Sequence, residues 1–257
     1  GGMVPTERAI GLLAHAKGAL AEIDCMVNAP DSFDPQVSRS EFHIGAPDYL
    51  APVFVGGVVE RMRREAPGAR LNLHSLDASF DFERSLAEGD LDMVIGNWPE
   101  PPDRMHLSVL LEDQIVCLVA ATHPLARKGL TMDDYVRARH VVPMPYSINQ
   151  RGVIDTTLAT LRIQRDESVA VQSFSAAPYL LQNTDLIFTT SRHFAEFYCR
   201  LLPLTILEAP LEFPPMRFYQ LWHERNRHSP SHRWLRRLLT ECGNQLASTE
   251  PLPQPDS

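Results

Sequence analysis

Between Phe42 and Gly96 the chain switches repeatedly from short apolar runs to amphipathic stretches, and this alternation restricts its fold more than any other feature. Phe42–Ala46 reads as a strand, about Ala51 to Glu65 as a helix stopped by Pro67-Gly68, and Ala69–Leu76 as an alternating strand. Pro52 falls in the first helical turn, where its missing N–H costs nothing. The segment ERSLAEGDLDMVIGNW, residues 83–98, then repeats the unit. Asp77 or Ser79 caps a helix, Phe82 and Leu86 face inward, and Gly89 supplies a left-handed stop. Leu91–Gly96 reads as a buried parallel strand, with Asp90 and Asp92 at its solvated edge. The order is βαβαβ, with right-handed crossovers.

A second series follows. Val116–Ala121 reads as a strand, Thr131-Met132-Asp133-Asp134 as a helix start, and His140–Pro143 as a strand. Next come a helix near Asn149–Leu161, a strand at Val169–Ser173, a helix near Ala176–Gln182, a strand at Leu186–Thr189 and a helix over Arg192–Cys199. Arg217–Trp222 reads as a returning strand. Ser231–Gln245 closes the fold as a helix with Trp234, Leu235, Leu238 and Leu239 at helical spacing. The fold class is α/β with two lobes of like pattern, and 257 residues suit about two domains.

Thr6 caps a further helix reaching Val27, in which Ala9, Leu13, Ala16, Leu20, Ile23 and Val27 form the narrow apolar seam of helix-to-helix pairing. Packing on its own domain is the simpler alternative. The stretch from Asn28 to Ser40 sets the helix apart, which favours pairing with another molecule. Residues 248–257, STEPLPQPDS, read as a disordered tail.

A formal net charge of −8 means that DNA affinity would have to come from a local basic patch rather than from the whole chain. No apolar run reaches the roughly 18 residues of a membrane helix, and the first residues lack a signal-peptide pattern, so a cytoplasmic location is expected. Cys25, Cys117, Cys199 and Cys242 are scattered without CxxC spacing, as befits reduced and mostly buried thiols.

Four stretches together resemble one family: GMVPTERA, LAEGDLDMVIG, ATHPLARKGLTMDDY, and TDLIFTTSRHFA followed by QLWHERNRHSPSHRWLRRLL. They are similar to LysR-type transcriptional regulators. The end of the chain, with Trp222-His223 and Trp234-Leu235-Arg236, resembles the branch that regulates aromatic degradation and nodulation. The resemblance implies two Rossmann-like lobes joined by two hinge strands, as in type 2 periplasmic binding proteins, preceded by a linker helix at residues 1–29. One lobe would comprise residues 40–120 and 219–247, the other 121–218. It also implies a homodimer or homotetramer, with Ala51–Glu65 and Arg70–Leu76 at the lobe-to-lobe surface, and DNA contact only through an absent winged helix-turn-helix.

In open α/β sheets ligands lie beyond the carboxyl ends of the strands. That rule gathers Pro47, Asp48, Tyr49, Asp77, Ser79 and Trp98 from the first lobe. From the second it gathers Tyr146, Ser147, Asn149 and Arg151, then Ser173, Phe174 and Thr190, with Phe218 from the returning strand. Arg151, ahead of Gly152 at a helix start, could hold a carboxylate, and Phe174 and Phe218 could sandwich a ring, although a plain surface arginine and plain core aromatics fit the same pattern. The expected small-molecule inducer is therefore an organic acid, aromatic ones included. In the aromatic-responding relatives a threonine stands at the position of Pro47, and histidines stand where this chain has Arg151 and Ser173, so the inducer could differ from theirs.

Other functions find little footing. GxGxxG, Walker and GxSxG motifs are absent, and His223-Glu224-Arg225-Asn226-Arg227 falls one position short of HExxH because the next histidine is His228. His223, His228 and His232 lie in a region that reads as a solvated surface, and Asp133 and Asp134 as a helix-start pair. No cofactor and no metal are expected, nor catalysis. A solute-binding protein of periplasmic type is the alternative, and would need export.

Overall fold

The computed structural model describes Arg8, Leu20 and residues 33–50, 52–76, 80–98, 105–144 and 152–247. The expected linker helix over Thr6–Val27, apart from Arg8 and Leu20, and the tail at 248–257 lie outside the described residues. By its internal contacts the chain divides into Gly1–Asp34 and Pro35–Ser257, and both sheets belong to the second unit.

The first sheet is built as the apolar runs require. Strand β1 (Glu41–Ala46) pairs in parallel with β2 (Arg70–Ser75) and β3 (Met93–Gly96). Helix α1 (Pro52–Glu65) buries Phe54, Val58 and Met62, one residue per turn. Helix α2 (Phe82–Glu88) buries Leu86 and ends where Gly89 takes φ 91°, its N–H donating to the Ser85 carbonyl. Its cap is Asp81, not Asp77 or Ser79, because the Asp81 carboxylate accepts from the Arg84 N–H.

Strand β4 (His106–Asp113) and the returning strand β10 (Met216–Trp222) complete an order β2-β1-β3-β10-β4, with β10 antiparallel to both neighbours. Helix α8 (Pro230–Ala247) covers one face, its Trp234 ring 5.7 Å from Phe42 and its Glu241 paired with Arg61 of α1.

The second sheet has the order β7-β6-β8-β5-β9. Strand β5 (Ile115–Ala120) is wholly buried and runs antiparallel to β8 (Leu186–Ser191) and β9 (Leu204–Glu208). Strand β6 (Arg139–Pro143) is parallel to β7 (Asp166–Val171) and β8. Short helices α3 (Leu125–Lys128) and α4 (Met132–Arg137), then α5 (Val153–Thr160), α6 (Ala177–Leu181) and α7 (Arg192–Cys199), pack around it. Thr131 and Asp134 form a reciprocal capping box at α4, the expected helix-start role.

Sheet membership moves the crossings. The chain leaves the first sheet after Asp113 and enters the second at Ile115, rather than at 120/121, and it returns between Glu208 and Met216, rather than at 218/219. The reason is physical: β5 is too apolar to serve as a linker and forms the second sheet's centre.

Candidate functional site

The carboxyl ends of β1 and β7 face each other across the two lobes, and the loop after β1 makes the contact. Asp48 Oδ2 accepts from Ser173 Oγ at 2.9 Å, from the Ser175 N–H at 3.1 Å and from Ser175 Oγ at 3.2 Å. Pro47 and Tyr49 on either side are buried.

Tyr49 answers the expectation of a ring between Phe174 and Phe218. Its own ring occupies that place, with centroids 5.4 Å from Phe174 and 5.9 Å from Phe218. Phe174 packs in turn on Phe188 and Phe194, at 5.0 and 5.3 Å. The two phenylalanines thus belong to an aromatic junction between lobes. Phe188 and Phe194 were not among the expected site residues, because their runs read as ordinary strand and helix core. The Tyr49 hydroxyl accepts from the Asn97 N–H at 3.1 Å, and burial raises its pKa, so the phenol keeps its proton.

Thr190 lies in β8 on the same face as Phe188 and is fully buried. Its hydroxyl has no hydrogen-bond partner among the described residues. The neighbouring Thr189 points to the other face and meets the Tyr135 hydroxyl at 2.9 Å. Trp98 sits elsewhere: it packs on Phe82 at 5.6 Å beside Leu86, Leu91 and Val94, and a Cβ on Gly96 would come within 2.6 Å of its ring. Asp77, Ser79, Tyr146, Ser147, Asn149 and Arg151 lie outside the described residues.

Two partly buried aspartate–histidine contacts were not legible as such. Asp92, expected at a solvated edge, accepts from the His43 N–H at 2.7 Å and pairs with His232 Nε2 at 2.9 Å. His232 is therefore buried and paired, not part of a solvated surface. His193 at the start of α7 donates its N–H to Asp113 Oδ2 at 3.0 Å, while its ring Nδ1 lies 2.8 Å from the same oxygen and its Nε2 3.3 Å from the Leu246 carbonyl. It thereby ties α7 to β4 and α8. The thiols of Cys117 and Cys242 are buried and free, and burial pushes Cys117 up to about 12; Cys25 lies outside the described residues. No group of three or more metal-ligating side chains occurs among the described residues.

The model of the LysR substrate binding domain matches residues 35–243. The chain belongs to the LysR family. Nodulation protein D 2 of Rhizobium tropici is 31% identical over 246 residues, covering 95% of this chain and 77% of its own length. The HTH-type transcriptional regulator SyrM 1 of Sinorhizobium fredii is 30% identical, covering 93% and 69%. Among solved structures, a probable transcriptional regulator from Pseudomonas aeruginosa is 28% identical with a TM-score of 0.73, covering 92% of this chain and 78% of its own. The LysR matches carry the type 2 periplasmic-binding-like α/β fold and the regulator reading over a free-standing solute-binding protein. This is the effector-binding portion of a transcriptional regulator. Among the described residues no helix is long and apolar enough to cross a membrane.

Proposed function

We propose that the chain senses a small molecule between its two lobes, without transforming it, and passes the change to DNA through a dimer or tetramer. One observation carries the reading: the loop after β1 reaches the second lobe at Ser173, Phe174 and Ser175, so the relation between the lobes depends on what fills their junction. The buried Thr190 hydroxyl offers an effector a hydrogen bond. Exposed Val53 and Val59 on α1 and Leu73 on β2 support the subunit surface expected there. A regulator of this kind works in the cytoplasm, and its effector shifts populations only by binding one state better than the other.

The sequence suggests an organic acid anchored by Arg151. Across the junction a carboxylate of the chain itself, Asp48, already meets Ser173 and Ser175. A thermal-shift screen of small acids and their amides or alcohols tests the site. A genuine effector raises the melting temperature, and Thr190→Val or Arg151→Ala removes that rise. A stabiliser indifferent to both substitutions binds elsewhere, and the reading fails.

A further inference from the structure

Between the returning strand and the last helix the chain reverses its charge. Residues 223–237 hold five arginines and one acid, Glu224, in a chain whose formal net charge is −8. The fold gathers them. A short turn at Glu224–Asn226 leads from β10 towards α8, and Arg236 ties the turn to the helix. Its guanidinium lies 4.5 Å over the Trp222 ring and donates to the Asn226 and Arg227 carbonyls at 3.2 and 3.0 Å. Arg225, Arg227, His228 and Arg233 stay exposed.

The acids nearby do little to cancel this charge. Glu224 is shared between His106 and Arg227, and Glu241 between Arg61 and Arg237. Arg225 donates to the Ala87 carbonyl at 3.3 Å, and among the described residues Arg225, Arg233 and Arg236 form no ion pair. Burial, and after it the charge of Arg233, lower the Arg236 pKa, as crowded like charges do. The N-terminus of α8 lies between His228 and Arg233 and adds its partial positive charge.

We infer that this face is a contact surface for the phosphate backbone of duplex DNA, so that the chain touches DNA itself rather than only through a separate reading head. The inference goes beyond the cleft reading and does not depend on it. Guanidinium groups match phosphate oxygens in bidentate geometry, and such contacts position a protein on DNA without reading its sequence. An acidic protein partner fits less well. Within residues 223–237 no large apolar side chain is exposed to anchor a protein interface.

Fluorescence anisotropy of a short labelled duplex of arbitrary sequence, titrated with the chain at several sodium chloride concentrations, tests this. Each neutralised phosphate contributes about −0.9 to the slope of log affinity against log salt, so the exposed Arg225, Arg227 and Arg233 give a slope of about −3. Arg225→Gln and Arg233→Gln should each make it shallower by about one, whereas Arg137→Gln, on α4, should leave it unchanged. Should Arg225→Gln fail to fold, Arg233→Gln decides alone, since the Arg233 side chain makes no hydrogen bond or ion pair among the described residues. No binding at low salt overturns the proposal, as does a slope indifferent to these substitutions. Polyglutamate of equal charge binding as tightly as the duplex would assign the face to an acidic protein instead. Displacement of the duplex by inorganic phosphate, beyond that by sodium chloride at equal ionic strength, would reduce it to a single-ion site, and either result refutes the DNA assignment.

Discussion

His193 shows how a single side chain couples distant parts of this fold. Burial alone would depress its pKa, but the Asp113 carboxylate outweighs that and raises it. With a folded value above the unfolded value of about 6.5, the protonated ring contributes its full stability below that pH. The contribution disappears as pH climbs through the raised folded value. Melting temperatures should therefore fall from weakly acid to weakly alkaline pH, and His193→Gln should flatten the curve. An unchanged slope in the variant would assign the fall to other groups.

Asp92 behaves with the opposite sign. Burial would raise its pKa, yet the contacts from His232 and the His43 N–H lower it overall, so its stabilisation is present above the ordinary carboxylate value and is lost as pH drops through the lowered one. Asp92→Ala leaves two partly buried donors without this acceptor, at up to about 1–3 kcal/mol each. Chemical denaturation should report a loss of about 2–4 kcal/mol. A loss below about 0.5 kcal/mol, the range of a surface substitution, would place both donors in water. Neither pair could be read from the sequence, since Asp92 and His232 are 140 positions apart and nothing local distinguishes a paired aspartate from a solvated one.

At the scale of elements the sequence was informative where burial is strong and local. The runs that became β3, β5 and β8 are buried at every position, and α7 begins and ends at the expected residues. Strands β4 and β9 were missed. β4 is half exposed and alternating over its first half, and β9 is a five-residue edge strand, so their pairing is decided by neighbours distant in sequence. The cap of α2 went to Asp81, because the residue geometrically placed to reach Arg84 outranks better-looking candidates upstream.

Gly243 is a related case. It sits inside α8, where alanine would be the better helix former by about 1 kcal/mol. A Cβ there would meet the Leu110 carbonyl oxygen of β4 at 2.4 Å, against rigid backbone. Gly243→Ala should therefore destabilise the chain despite its propensity, by about 1–3 kcal/mol, as overpacking does. A variant more stable than the parent in urea would show that α8 can back away from β4 at no cost.

At the scale of the molecule, the described backbone passes between the two sheets at Gln114 and within 209–215, so cooperativity must come largely from side chains between the lobes. Strand ends follow from strand order and were legible in the sequence, whereas the packing between them was not. From the sequence Phe174 and Phe218 could equally flank a ring or be plain core; that Tyr49 packs on both depends on how closely the lobes approach. Tyr49 is the only one of these residues that belongs to the loop after β1 and touches both a second-lobe helix start and the returning strand.

Removing it tests what binds the lobes into one cooperative unit. Tyr49→Ala leaves a cavity bounded by both lobes, and truncation of a buried aromatic costs about 3–5 kcal/mol. If that energy is interfacial, the parent should unfold in one calorimetric transition and the variant in two, one per lobe. Tyr49→Phe keeps the ring and gives up the hydroxyl with its contact to the Asn97 N–H, so it should retain the single transition. A single transition in Tyr49→Ala, merely shifted to lower temperature, would mean that the crossings together with the His193–Asp113 contact suffice to couple the lobes. The aromatic junction would then act as ordinary core, and an effector seated beside it could stabilise the protein without controlling the relation of one lobe to the other.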